Sequence, residues 1–266
     1  MSLRWRPAPA LPASALLHAG AALYAAARPG NWPWALGAVV VNHAVLTAGG
    51  LLPRSRLLGP NWVGLPPRAA ARGEIAITVD DGPDPEVTPR LLDLFDTLDV
   101  RASFFCVGAK LQAQAVLARE ICRRGHSVEN HSQHHPWYFS LLGPARMERE
   151  IREAQDGIAQ VTGVSPRFFR APAGLRNPFL DYLLAKLDLT LASWTRRGFD
   201  TLNGDTARVH RMLARNLAAG DILLLHDGRA AHTPAGVPVI LEVLPLLMSD
   251  VRRANLSPVT LPQSTA

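Results

Sequence analysis

Cysteine is nearly absent: Cys106 and Cys122 are the only two in 266 residues, too few for a disulfide framework or a thiolate metal cluster. They lie in the apolar run ASFFCVG and the helical stretch VLAREICRRG, and read as ordinary unpaired thiols, which fit the cytoplasm better than an oxidising compartment. Lysine is as scarce, since Lys110 and Lys186 are the only two among 28 basic residues. The arginines that make up the remainder of that set are scattered, with no basic block and no interleaved aromatics, so the net charge of +6 does not point to nucleic acid. Charged residues reach only 19% against 48% hydrophobic, which excludes a disordered chain and places part of it in a membrane. Short-period repeats and low-complexity tracts are lacking too. The length suits one large α/β domain with a modest appendage and is too short for two full-sized domains.

The appendage is N-terminal. Leu11 to Ala27 and Pro33 to Leu52 are uncharged apolar stretches separated by the turn-like segment Arg28-Pro29-Gly30-Asn31-Trp32. As helices they reach about 26 and about 30 Å at a rise of about 1.5 Å per residue, near the thickness of a bilayer core. A transmembrane helical hairpin over residues 1–56 is the expectation, with an alanine-rich hairpin packed on a soluble domain as its rival. Trp32 and Trp34 at the tight end, and Arg4, Arg6, Arg54 and Arg56 at the open end, are placed as interfacial anchors. The arginine bias puts both open ends, and hence the domain that follows the hairpin, on the cytoplasmic side of the inner membrane. His18, Asn42 and His43 read as neutral, locally satisfied groups, with pairing between the helices as the alternative.

Residues 57–73, rich in proline, arginine and glycine, read as a surface linker, and a third unit runs over 74–266. There, strand-like runs at 74–80, 102–108, 127–130, 167–172, 189–195, 221–227 and 257–261 alternate with amphipathic stretches. In one of these, Val87, Leu91, Leu94, Phe95 and Leu98 recur at helical spacing. Strand followed by helix, repeatedly, implies an α/β fold with a parallel sheet and outer helices, most simply an open or incomplete (β/α) barrel.

In such an architecture the reactive residues gather at the C-terminal strand ends. The first strand ends in Thr78-Val79-Asp80-Asp81-Gly82-Pro83, two adjacent carboxylates at a turn. The third runs into Asn130-His131-Ser132-Gln133-His134-His135-Pro136, which sets two imidazoles four residues apart. The fourth ends Arg170-Ala171-Pro172-Ala173-Gly174, and the sixth ends Leu224-Leu225-His226-Asp227. A hard carboxylate with two imidazoles suits zinc or a related divalent ion with positions left open. One aspartate can bind metal while its neighbour stays free as a base. Each motif alone is an ordinary turn or a solvated pair; their joint occurrence in order, each at a strand end, carries the weight.

With TVDDGP, HSQHH, RAPAG, the stretch around WTRRGFD and LLH in that order, residues 73–262 resemble a polysaccharide deacetylase of the NodB-homology type, carbohydrate esterase family 4. The resemblance implies an incomplete (β/α) barrel and hydrolysis of an N-acetyl or related amide on an amino sugar. It implies that Asp81, His131 and His135 hold the metal, zinc first, with cobalt or another divalent ion as alternatives. Asp80 would be the general base, Arg170 the residue that orients it, Ala173 the backbone donor to the oxyanion, and His226 the acid for the leaving amine. Asp200 would orient His226, with Asp227 as rival. His134 falls in a variable slot and reads as a bystander or a substrate contact. Two departures bear on substrate choice: WTRRGFD lacks the paired aspartates and tryptophan usual there, and Ala173 stands where many relatives carry an aromatic residue. The leading expectation is a membrane-anchored N-deacetylase of a glycan or amino sugar. A deformylase or deacetylase of a lipid-linked sugar is the alternative, and a catalytically silent carbohydrate-binding protein is the reading from another class.

Overall fold

The computed structural model describes residues 5–266, so Arg4, one of the expected anchors, lies outside the described residues. Helices α1 (Ala10–Ala27) and α2 (Trp32–Leu51) are joined by a single 3-10 turn at Pro29–Asn31 and pack on each other as a hairpin. Their 18 and 20 residues are long and apolar enough to cross a membrane, and little of either is buried. The polar residues inside the hairpin pair across it. Asn42 donates to Ser14 Oγ at 2.8 Å, and the His18 and His43 Nε2 atoms stand 3.1 Å apart. His18 Nδ1 lies 2.7 Å from the Ser14 carbonyl and must donate to it; in a neutral ring its Nε2 then accepts from His43. The inter-helix alternative therefore holds over purely local satisfaction: in apolar surroundings each helix is the other's nearest supply of polar partners.

The rest of the chain alternates: α3 (Pro67–Ala71), β1 (Glu74–Asp80), α4 (Val87–Leu98), β2 (Ser103–Cys106), α5 (Gly108–Ala113), α6 (Ala115–Arg123), β3 (Ser127–Asn130) and α7 (Pro144–Thr162). Then follow β4 (Phe168–Phe169), α8 (Leu180–Lys186), β5 (Thr190–Leu191), β6 (Arg196–Arg197), α9 (Thr206–Ala214), β7 (Ile222–His226), α10 (Val239–Arg253) and β8 (Ser257–Pro258). Among the described residues these strands all pair in parallel, in the order β5-β4-β3-β2-β1-β7-β6, with β8 beside the start of β1. β1 is central and buried along almost its whole length, which is why EIAITVD is apolar on both faces. Outside it, Val87, Leu91 and Phe95 of α4 and the apolar faces of α9 and α10 form one core with Ile75, Ile77 and Val79. On the other side Ala76, Phe105, Phe168, Trp194 and Leu224 fill the barrel interior.

Within the expected strand 189–195 only Thr190–Leu191 forms a strand, and a second short piece, Arg196–Arg197, follows just beyond it. Thr190–Leu191 pairs β4 and Arg196–Arg197 pairs β7, so one kinked segment meets both edges of the sheet. Trp62 fills the kink: its N–H donates to the Leu191 carbonyl at 2.9 Å and its carbonyl accepts from Ser193 at 2.8 Å. Residues 57–73 are accordingly not a free-running surface linker. Leu58, Leu65 and Ala69 are buried, and Leu65 N–H donates to Gly220 O at 2.8 Å. Cys106 is buried and Cys122 half-buried, both unpaired.

Candidate active site

The parallel register does the first part of the assembly. It sets Asp80 level with His226 of β7 on one side and with Phe105 of β2 on the other. Asp81 then leaves the strand in the left-handed region, at φ 74°, so its side chain points differently from that of Asp80. Its carbonyl accepts from Lys110 Nζ at 2.8 Å. The loop after β3 is built the same way. Ser132 and His135 both have positive φ, Asn130 Oδ1 accepts from the Ser132 N–H at 2.9 Å, and Ser132 Oγ accepts from the His135 N–H at 3.0 Å. Asn130 is itself held by donating to Ile151 O and Gln155 Oε1 of α7.

These turns bring three ligand atoms together. Asp81 Oδ1 lies 3.3 Å from His131 Nε2 and 3.2 Å from His135 Nε2. His131 Nδ1 donates to the Arg170 carbonyl at 2.8 Å, which fixes the tautomer and turns the Nε2 lone pair toward the cluster. A carboxylate oxygen and imidazole lone pairs thus converge from buried or half-buried side chains. Burial pulls the His135 imidazolium down to about 4, with His131 adding to the effect, so this ring is neutral and acts as an acceptor at pH 7. Burial raises the Asp81 carboxyl, but the imidazoles of His131, His135 and His226, in their protonated forms, reverse the sign and hold it below the ordinary value. The donor set therefore fits a divalent cation. Ligands at about 2.0–2.1 Å in a tetrahedral set stand about 3.3 Å from one another, the spacing Asp81 keeps from both histidines.

Asp80 is paired elsewhere. Arg170, fully buried, donates from Nη1 to Asp80 Oδ1 at 2.6 Å and to Thr78 Oγ1 at 2.8 Å. Its other nitrogens donate to Ala192 O and Ser193 O, and its guanidinium lies 4.0 Å from the Phe105 ring centroid. Burial draws the Arg170 pKa down and Asp80 opposes it. Asp80 Oδ2 is left facing the cluster, 3.8 Å from His131 Nε2.

His226 has two bonds to one carboxylate. Asp200, fully buried, accepts from the His226 backbone N–H at 2.7 Å and from Nδ1 at 2.9 Å, leaving Nε2 as the ring nitrogen for the cavity. Burial lowers the His226 pKa, but Asp200, with Asp80 and Asp81, outweighs it and holds the imidazolium above the ordinary histidine value. Asp227, the rival, turns the other way. It accepts from Thr88 Oγ1 and from the Gly228 N–H, and burial raises its carboxyl to about 6.

The clusters share one cavity of about 280 Å³. Ala173, at φ 54° in the turn Pro172–Gly174, lines it, and its N–H meets no acceptor among the described residues. His134 does not line it: exposed, it is engaged by Glu150 through Nδ1 at 2.8 Å and through its N–H at 2.9 Å. Sequence reasoning missed Lys110, whose only signal was that it is one of two lysines. It also missed Trp194, Arg197, Leu202 and Arg229, which line the cavity from the later loops. Arg197 lies 5.5 Å from the Trp194 ring and 4.8 Å from the Phe199 ring, with Nε buried and unpaired among the described residues.

Comparison with known proteins identifies the family and its fold. A family profile described as polysaccharide deacetylase matches residues 68–192. A peptidoglycan-N-acetylglucosamine deacetylase of Bacillus cereus is 32% identical over 175 residues, covering 65% of this chain and 81% of the relative. A chitooligosaccharide deacetylase of Sinorhizobium fredii is 34% identical over 164 residues, covering 58% of this chain and 72% of the relative. Among solved structures, a family 4 carbohydrate esterase from Streptomyces lividans, in complex with acetate, superposes with a TM-score of 0.63 at 30% identity. The match covers 70% of this chain and 91% of that one. The fold and site define a hydrolase built on an incomplete (β/α) barrel. The chain belongs to the polysaccharide deacetylase family.

Proposed function

We propose that the protein is a metal-dependent amidohydrolase that removes an N-acyl group, in first place N-acetyl, from an amino sugar, and that α1 and α2 anchor it in a membrane. The observation that carries this reading is the convergence of Asp81, His131 and His135, of Asp80 with Arg170, and of His226 with Asp200 around one cavity. The similar proteins named above act on N-acetylglucosamine of peptidoglycan or on chitooligosaccharides, which supports an N-acetylated amino sugar here. Asp81, His131 and His135 would hold the ion, for which zinc suits the donor set. When bound, a divalent ion supplies Lewis acidity to water and to the amide carbonyl. Asp80, with Oδ1 pinned by Arg170, offers Oδ2 to take the proton of the attacking water. The Ala173 N–H is placed to donate to the oxyanion as the carbonyl becomes tetrahedral. His226, held by Asp200 with Nε2 toward the cavity, protonates the departing amine, which cannot leave as an anion.

The direct test is amine release from N-acetylated and N-formylated sugars, free and lipid-linked, by the metal-reconstituted protein. Metal binding without amine release from any of them would return the silent carbohydrate-binding reading to first place. A second expected result concerns His226. Asp200 raises its pKa, so the protonated acid persists to higher pH and activity falls as pH rises through that raised value. Asp200→Asn should move the alkaline limb of the kcat profile to lower pH and remove part of the about 10²–10⁴-fold that a positioned acid contributes. A lower rate with an unmoved limb would mean that Asp200 only supports the fold.

A lipid-linked or precursor sugar at the inner leaflet is the second reading, favoured by the hairpin and by Arg197 and Arg229 at the cavity, whose guanidiniums suit a phosphate. It needs the catalytic domain in the cytoplasm, as the excess of arginine at the open end of the hairpin implies. Fusions at Ala266 test this: the expected result is a fluorescent green-fluorescent-protein fusion and an inactive alkaline-phosphatase fusion. The reverse pattern puts the domain outside, where cell-wall glycan becomes the substrate.

A further inference from the structure

The end of the hairpin lies against the catalytic face. The Arg176 N–H donates to the Gly50 carbonyl at 3.1 Å, Ser193 Oγ donates to Pro53 O at 2.7 Å, and Arg54 donates to Thr195 O at 3.2 Å. Pro53 also packs against Gly174, a cavity residue. Contact does not stop at the end of α2. Ser140, Leu141 and Pro178, from the loops after β3 and β4, share a groove with His43, Leu46 and Leu51 of α2. His43 precedes Leu51 by about two turns, or about 12 Å along the helix axis. If α2 crosses a bilayer with Leu51 near one interface, these loop tips stand at the level of the headgroups and upper acyl chains.

Their side chains suit that level. Trp137 is 82% exposed, Leu141 78% and Leu202 81%, with Tyr138 and Phe199 also exposed. Single exposed apolar residues are normal on a soluble surface, but these lie in loops at the C-terminal strand ends, the same end as the cavity. Tryptophan, tyrosine and leucine gain free energy in an interface and none in water. The charge is complementary as well. No acidic residue precedes Glu74, while Arg54 and Arg56 are exposed at the end of the hairpin and Arg229 is exposed at the cavity. That pattern matches an anionic lipid surface.

We infer that the catalytic domain is seated on the bilayer by its catalytic face. The loops Trp137–Leu141 and Phe199–Leu202 rest in an anionic headgroup layer beside α2, and the cavity takes its amino sugar directly at the lipid surface. The inference rests on the reading of α1 and α2 as membrane spans. It places the loop that carries His131 and His135 in direct contact with lipid, so the metal site opens at the membrane surface and away from bulk water.

Spin labels on the full chain test it, in vesicles of phosphatidylglycerol and phosphatidylethanolamine, in a Cys122→Ser background with Cys106 buried. Labels are placed at Leu141→Cys and, independently, Trp137→Cys on the catalytic face. Val164→Cys, in the loop before β4 at the opposite end of the strands, is the aqueous control, and Val41→Cys on α2 is the lipid control. The expected result is that labels at 141 and 137 collide with a water-soluble nickel chelate several-fold less than the label at 164, and with oxygen several-fold more. If both match 164 while 41 is lipid-facing, the hairpin spans but the catalytic face is not seated, and the inference is overturned. If 41 is also open to the chelate, the membrane reading fails and takes the inference with it.

Discussion

His131→Ala is expected to lose most of its bound divalent ion and nearly all turnover. Only Asp81 and His135 would remain to hold the metal, and two ligands hold zinc poorly. The substitution also frees the Arg170 carbonyl, which takes the Nδ1 hydrogen bond at 2.8 Å, from the partner that sets the ring tautomer. His135→Ala should lose the metal as well, leaving that interaction intact. His134→Ala is the control: its ring belongs to Glu150 and lies off the cavity, so metal content and kcat should stay at wild-type values. Elemental analysis of the purified variants measures this directly. Equal metal in His131→Ala and wild type would sink the ligand assignment, whatever the activity.

The candidate ligand cluster was legible only in its parts: Asp81 belongs to one strand-end motif and His131 and His135 share one loop, while the parallel order of β1, β2 and β3 brings the two motifs together. The partner of His226 was not settled by such reasoning, because Asp200 arrives from a different strand and its approach depends on the kink between β5 and β6. One signal against Asp227 was nevertheless present. Successive residues of a strand point to opposite faces, so a residue directly after an inward-facing His226 turns away from the cavity, toward Thr88. Arg197 and Arg229 were invisible for another reason: in a chain with so many arginines, no local pattern separates one that lines a cavity from one in water.

Strands buried on both faces were readable as apolar runs, which is why β1 and β7 fall close to their expected limits. The outer strands lie inside their expected runs but are much shorter, because β4 and β5 pair over only two residues each before the chain leaves the sheet. Arg170 lies just beyond β4, and its guanidinium turns inward because Asp80, Thr78, Ala192 and Ser193 together supply its acceptors. A buried arginine of this kind is set by tertiary partners, and no periodicity announces it. Trp62 likewise closes the barrel from a segment whose prolines and glycines resemble those of an ordinary linker.

Asp80→Asn is expected to keep its metal and lose several orders of magnitude in kcat. The amide oxygen can take the place of Oδ1 and accept from Arg170, which puts the NH₂ group where Oδ2 now faces the cluster. A donor then stands where the attacking water needs an acceptor, and proton removal stops while the shape of the site is preserved. The change also leaves the Arg170 charge without its carboxylate. Breaking a buried pair typically costs about 3–5 kcal/mol. Here the cost should fall at or below the lower end, because Thr78 Oγ1, Ala192 O, Ser193 O and the new amide oxygen still accept from the guanidinium. Thermal unfolding and metal content should therefore be measured beside kcat, so that a lost base is distinguished from a loosened site. A folded, metal-loaded Asp80→Asn that keeps more than about a tenth of wild-type kcat has lost no more than about 1.4 kcal/mol of transition-state stabilisation. That is too little for the removal of a general base, and the proton would then have to go to another acceptor in the cavity.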